Sequence, residues 1–272
     1  MDWLAGLHEA RQNNHSCVLV TLMGISGSAP REKGAKMLVL SDGRIRGTIG
    51  GGQLELQIID EAKKYLSQGK SETLYTQDYP LSVKTQQCCG GVVQALFEVF
   101  HSQKSLYIFG AGHVGQALSR VVSELPLDVH LIDERQEWVS QASSSVKTYQ
   151  QKPLEFVTHR EWKNSDFVVV LTHSHDLDFE LIHYFCGKNI QYLGLIGSDT
   201  KWAQMRKKLQ SQKHSLENIE KIRCPIGLKI GGKTPGEVAI SIAAELLQET
   251  GKAALYENTP TEPNSTHSPV RW

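Results

Sequence analysis

Gly47-Thr48-Ile49-Gly50-Gly51-Gly52-Gln53-Leu54-Glu55 and Cys88-Cys89-Gly90-Gly91 are two stretches whose residue types can do chemistry at the main chain. Gly50, Gly51 and Gly52 lack Cβ, so a ligand can approach their backbone closely. Each glycine costs roughly 0.5–1 kcal/mol relative to alanine in a regular element. Gln53 and Glu55 follow at a spacing, strand or helix start, at which their polar ends can meet that ligand. The second stretch sets two thiols before a flexible, amide-rich turn. It can bind an anion or a metal-bearing ligand, with Cys89 the leading thiolate and Cys88 beside it. The alternative is a buried turn. Arg31 and Lys33 flank the Ser28-Ala29-Pro30 turn and offer charge to an anion, or are ordinary exposed loop residues.

Gly110-Ala111-Gly112-His113-Val114-Gly115 follows an apolar run and opens a helical pattern. This is the Gly-x-Gly-x-x-Gly turn that holds a phosphate on helix amides and dipole. Asp133, 18 residues past Gly115, ends the next strand, where a carboxylate meets a ribose hydroxyl. A Rossmann-type turn kept for architecture alone is the competing reading. Thr172-His173-Ser174-His175-Asp176-Leu177-Asp178 follows a third apolar run, at the sheet edge where such folds bind ligands. His173 and His175 are ligand-binding candidates there, set against a plain helix cap by Asp176 or Asp178. Ser198 or Asp199 caps the next helix. Gly231-Gly232-Lys233-Thr234 lacks the glycine spacing of a phosphate-binding ATPase loop. Cys224 is a further candidate thiol, while Cys17 and Cys186 fall on apolar faces as core residues.

The elements that must position these residues fall into two groups. Residues 3–13 read as a helix. Residues 17–24, 36–40 and 44–49 read as strands, with an Asp42-Gly43 hairpin turn. A helix over 54–66 and strands over 71–78 and 92–100 complete an α+β domain over residues 1–102. Strands at 105–109, 128–133, 167–171 and 191–196 then alternate with helices at 115–124, 178–187 and 199–210, and a last helix covers 235–250. That alternation predicts a Rossmann-like, doubly wound parallel sheet over 103–255. The fold class is therefore α/β, with a leading α+β domain. Residues 256–272, rich in Pro, Thr, Ser and Asn, read as a disordered tail.

Lys plus Arg and Asp plus Glu both number 29, so no basic face supports nucleic-acid binding. No apolar run approaches the roughly 18–20 residues that span a bilayer. The first twenty residues carry Asp2, Glu9, Arg11 and Gln12 instead of a signal core, which predicts a soluble, cytoplasmic chain. Five cysteines without a Cys-x-x-Cys pair argue against a disulfide scaffold and a structural zinc site.

Taken together, Gly27-Ser28-Ala29-Pro30-Arg31, Gly34-Ala35-Lys36-Met37, the triple-glycine stretch, Cys88-Cys89-Gly90-Gly91, the 110–115 turn, Thr172-His173-Ser174-His175 and Cys224-Pro225-Ile226-Gly227-Leu228 through Ala239 resemble the XdhC/CoxI family, collinearly over about residues 3–255. The resemblance implies a molybdenum cofactor chaperone, not a turnover enzyme. Such proteins bind molybdenum-molybdopterin, take part in its sulfuration with a cysteine desulfurase and deliver it to xanthine dehydrogenase. It also implies a homodimer, and it maps the family's Cys-Gly-Gly position, implicated in cofactor and metal contact, onto Cys89. Glycine-loop amides suit the cofactor's phosphate and pterin. Two rival readings remain. One is an NAD(P)-dependent oxidoreductase holding a nucleotide at 110–115, with His113 or His173 as acid or base. The other is a metal-dependent hydrolase using His173, His175 and Asp178.

Overall fold

The computed structural model describes residues 2–26, 31–68, 73–81 and 91–257. Cys88, Cys89 and Gly90, with the 27–30 turn, lie outside the described residues. The chain divides into two compact units, one of Met1–Ser102 with the chain from Ala254, the other of Gln103–Ala253.

In the first unit, α1 (Trp3–Gln12) begins at Asp2, whose carboxylate accepts the Leu4 amide at 2.9 Å. Strands β1 (Cys17–Ser26), β2 (Lys36–Leu40) and β3 (Ile45–Gly47) precede α2 (Gly52–Ser67), and β4 (Leu74–Leu81) and β5 (Gly91–Phe100) follow it. The sheet order is β3-β2-β1-β5-β4, antiparallel at every pairing. The β2–β3 turn uses Gly43 at φ 86°, a conformation open to glycine. Alternation along the strands divides the apolar residues between two cores. Val18, Val20, Met37, Val93 and Phe97 meet Leu54, Ile58 and Ala62 of α2, while Leu19, Leu38 and Leu40 meet Ala10 of α1.

Two boundaries differ from the sequence reading. The third strand stops at Gly47, short of the expected residue 49, and α2 starts at Gly52, ahead of the expected 54. The cause is local: Gly47, Gly50, Gly51 and Gly52 all have positive φ, from 69° to 129°, which no strand sustains.

The second unit begins with β6 (Lys104–Phe109), α3 (His113–Val122), β7 (Leu127–Asp133), α4 (Gln136–Val139), β8 (Lys147–Gln150) and α5 (Pro153–Thr158). It continues with β9 (Phe167–Val170), α6 (His175–Phe185), β10 (Tyr192–Leu195), α7 (Asp199–Ser211), α8 (Leu216–Glu220), β11 (Ile222–Arg223) and α9 (Pro235–Glu257). All pairings are parallel and the order is β11-β10-β9-β6-β7-β8. Counted within the unit this is the 3-2-1-4-5-6 order of a Rossmann sheet. Leu106 and Ile108 face α3 and α9, and Tyr107 and Phe109 face α5 to α8, so both sides of the sheet are buried.

The short elements α4, β8, α5, α8 and β11 have no counterpart in the sequence reading, because two to six residues carry too little periodicity. Helix α6 begins at His175, not at 178, and its cap is Ser174, whose Oγ accepts from Leu177 N at 3.4 Å; neither Asp176 nor Asp178 caps it. Ser198 caps α7. The last helix runs past the expected residue 250 to Glu257. The remainder of the expected tail, 258–272, lies outside the described residues. Among the described residues no helix is long and apolar enough to cross a membrane.

Candidate functional site

Two places gather the residues singled out from the sequence. In the first unit the chain leaves β3 through the triple glycine into α2. Gly51 has φ 75°, and a Cβ added there would meet open space. The loop closes on Glu55. Its Oε2 accepts Thr48 Oγ1 at 2.5 Å and the Ile49 and Gly51 amides at 3.0 Å each, and Thr48 Oγ1 takes the Gly50 amide at 3.1 Å. Burial pushes the Glu55 carboxyl up, but these hydrogen bonds outweigh it and hold it below the usual range. Glu55 thus organises the loop from within, while Gln53 is exposed. Gly91 is buried at the start of β5, one residue from the undescribed Gly90. Arg31 is exposed and lines a concavity with Glu32, Lys33, Gly34 and Ala35.

In the second unit the 110–115 turn lies at the carboxyl edge, between the first and fourth strands of the Rossmann order, where the strand order reverses. Such a switch point is where doubly wound sheets bind ligands. Each glycine has its own reason. Gly110 has φ 112°, and a Cβ there would strike the Leu171 carbonyl. A Cβ at Gly115 would strike the Gly110 carbonyl oxygen, and one at Gly112 would meet open space. The first and third glycines are therefore fixed by packing and the second opens the backbone to an approaching group. Gly110, Asp133 and His173 line one small concavity with Glu134, Pro153, Thr172 and Leu177. His113 is exposed on the first turn of α3, with its ring 4.9 Å from that of Trp138. His175 is exposed at the start of α6 and outside that lining.

Asp133 is 4% exposed and both its oxygens are engaged. It accepts the Ala111 amide at 2.8 Å, the Arg135 amide at 3.0 Å, and the Arg135 guanidinium at 2.9 and 2.7 Å. Burial raises its pKa, but hydrogen bonds from Arg135 and the Ala111 amide outweigh that and hold it below the usual carboxylate range. Arg135 in turn lies 5.5 Å from the Trp138 ring centroid. On the first turn of α6, Asp178 is fully buried. It accepts Thr172 N at 3.1 Å and Thr172 Oγ1 at 2.7 Å through one oxygen, and Lys201 Nζ at 2.6 Å through the other. Lys201 also donates to the Ile196 carbonyl at 3.0 Å. Cys224 borders the same loops, and burial pushes its thiol up to about 12, against the pull of Lys201. It is therefore a protonated thiol, not a ready nucleophile.

The Gly231-Gly232-Lys233-Thr234 loop is closed by its own helix. Glu237 Oε2 accepts the Lys233 and Thr234 amides and the Thr234 hydroxyl at 2.8–3.0 Å, a capping box. Sequence reasoning placed Thr172 at this edge without giving it a role, and it missed Arg135 and Lys201 as parts of the site. Arg135 lies two residues past Asp133, and that proximity was the available signal. Among the described residues no three of His, Cys, Asp and Glu gather to hold a metal.

A glycine-loop α+β unit followed by a Rossmann unit with its glycine turn at the switch point defines a two-unit α/β protein. Residues 106–246, more than half of the chain, match the family model described as the XdhC Rossmann domain, and residues 10–79 match that of the XdhC and CoxI family. The chain belongs to the XdhC and CoxI family. It is similar to the uncharacterized protein YqeB of Escherichia coli K12, with 29% identity over 89% of this chain and 45% of that protein. It is also similar to a probable xanthine dehydrogenase subunit of Bacillus subtilis 168, with 28% identity over 55% of this chain and 44% of that protein. A third relative is the molybdenum cofactor insertion chaperone PaoD of Escherichia coli K12, with 26% identity over 88% of this chain and 85% of that protein. The chain thus spans less than half the length of the first two relatives.

Proposed function

We propose that the protein is a carrier of the molybdenum cofactor, one that binds molybdenum-molybdopterin and hands it to an apo-enzyme. The observation that carries this reading is family membership together with similarity to PaoD, named a molybdenum cofactor insertion chaperone, over most of both chains. The cargo's chemistry suits the loops. A phosphate takes backbone amides, and Gly112 opens the backbone at the start of α3 to close approach, whereas the Gly51 amide is already bonded to Glu55. Cys89 is the proposed metal contact, with Cys88, Gly90 and Gly91 around it. Gly50, Gly51, Gly52 and Gln53 would hold pterin or phosphate, with Arg31 adding charge. The finer reading adds sulfuration with a cysteine desulfurase, delivery to xanthine dehydrogenase in the cytoplasm, a homodimer, and no turnover of its own.

One observation favours a nucleotide in the second unit as well. The Gly110–Gly115 turn stands at the switch point of a sheet in the Rossmann order. The saturated carboxylate of Asp133 weighs against its use as a ribose acceptor unless Arg135 swings away.

The test is metal and pterin analysis of the purified protein after incubation with molybdenum cofactor and gel filtration, beside Cys89→Ala. Stoichiometric molybdenum and pterin in the wild type, lost in a folded Cys89→Ala protein, is the expected result. No retention in either protein, with NADH bound instead, would replace the carrier by the oxidoreductase reading.

A further inference from the structure

His183 lies in the last turn of α6, and His214 in the turn between α7 and α8. His214 Nε2 stands 2.7 Å from His183 Nδ1, and the rings meet at 83° with centroids 4.7 Å apart. Two imidazole nitrogens facing at this distance share a single proton, one ring donating and the other accepting. The surroundings hold both rings in place. Phe179, one turn earlier on α6, lies against His183 at 20° with centroids 5.8 Å apart, and the Lys208 ammonium is 3.8 Å from the Phe179 centroid. Lys213 takes φ 65°, and the His214 amide then bonds back to the Leu209 carbonyl at 3.3 Å, which returns the imidazole over α6.

We propose that His183 and His214 bind one divalent transition-metal ion of the zinc class, which replaces the proton they share. Imidazole holds zinc at about 2.0–2.1 Å, so two nitrogens on one tetrahedral ion stand about 3.3 Å apart. The nitrogens need to part by about half an ångström, and the rings, which now face each other almost in line, need to turn so that both lone pairs converge on the ion. The binding form is the neutral ring. Burial first, and the neighbouring His183 second, lower the pKa of His214 and favour that form. His183 is exposed at the surface, so an ion has access. Among the described residues no third His, Cys, Asp or Glu completes a cluster, so water fills the remaining positions and affinity is moderate. Lys213 precedes His214 in the chain, and Lys208 lies over Phe179, which itself stacks on His183; their positive charge weakens binding further. The ion would tie α6 to the turn after α7, two helices already joined at the opposite end by Asp178 and Lys201. This site does not depend on the carrier reading.

The experiment titrates the full chain with Co(II) and displaces it with Zn(II). The spectrum separates this site from the cysteines, because thiolate ligands give a charge-transfer band and imidazole with water does not. One equivalent of Co(II) bound without that band is expected, with at least tenfold weaker binding in His183→Asn and in His214→Asn. His159→Asn, an exposed histidine elsewhere, leaves binding unchanged. Unaltered affinity in the first two variants, binding through thiolate alone, or no binding in the wild type overturns the proposal. Should either variant unfold, imidazole proton resonances of the wild type decide: Co(II) must broaden two histidines that are in mutual contact, and broadening of any others sinks it.

Discussion

The carboxylate of Asp178 and the ammonium of Lys201 meet at 2.6 Å with side chains 1% and 15% exposed, and they join the loop after β9 to the loop after β10. Both oxygens of Asp178 are engaged, one with Thr172 and the other with Lys201, and Lys201 also reaches the Ile196 carbonyl. A buried pair so satisfied specifies geometry more than it adds net stability.

Breaking that pair from one side is therefore expected to cost more than removing it whole. Asp178→Asn strands a buried ammonium, with a loss of about 3–5 kcal/mol in urea unfolding. Asp178→Leu with Lys201→Met should recover much of that loss while loosening the Thr172 loop. A double variant no more stable than Asp178→Asn would show that the charges themselves hold the fold.

The glycines of the 110–115 turn should separate. Gly115→Ala drives a methyl group into the Gly110 carbonyl and is expected to lower the melting temperature, at a cost of about 1–3 kcal/mol. Gly112→Ala meets open space from an ordinary negative φ and should fold normally, yet weaken any ligand that needs the bare backbone. Thermal melts beside cofactor retention read both effects.

Glu55 gathers three donors onto one oxygen, so Glu55→Ala leaves the triple-glycine loop without its acceptor. A loss of about 1–3 kcal/mol is expected, with faster hydrogen exchange at the Ile49 and Gly51 amides. Exchange unchanged at both amides would mean that the loop is held by other contacts.

Acid stability has an identifiable source in Asp128. Burial raises its carboxyl, but hydrogen bonds from His130 and Lys147, at 2.8–3.0 Å, bring it down to about 2. A folded pKa below the unfolded value means stability fully present above about pH 4 and lost as pH falls toward 2. Urea unfolding of Asp128→Asn across that range should give a flatter acid limb than the wild type. Parallel limbs would assign the acid sensitivity elsewhere.

Neighbours along the chain wrote some of these features into the sequence, and distant contacts set the others. The strands at 105–109, 128–133 and 167–171 were legible because a parallel sheet buried on both faces writes near-continuous apolar runs. The Rossmann turn was legible because its glycines recur at a fixed spacing within six residues, although the contact that fixes Gly110 is with the distant Leu171 carbonyl. Asp133 was correctly expected at the end of β7. Its engagement with Arg135 and Ala111 was not legible, because a carboxylate's partners depend on which loops the sheet brings alongside. The alternative of a helix cap by Asp176 or Asp178 was not met, since Ser174 caps α6. Asp178 had a better partner in Lys201, 23 residues further on.

What this sequence determined by itself was the succession of elements and the family, since hydrophobic period, turn glycines and long motifs are properties of neighbours along the chain. Only the tertiary structure decided which amides remain open to a ligand. Glu55 and Glu237 fill their own glycine loops, Asp133 and Asp178 tie down the switch-point edge, and Gly112 is left facing open space. That allocation rests on packing. Asp133 and Asp178 reach donors 22 and 23 residues away, and which loops a parallel sheet brings together is set by strand order, which no local pattern encodes; Glu55 and Glu237 take donors from their own loops.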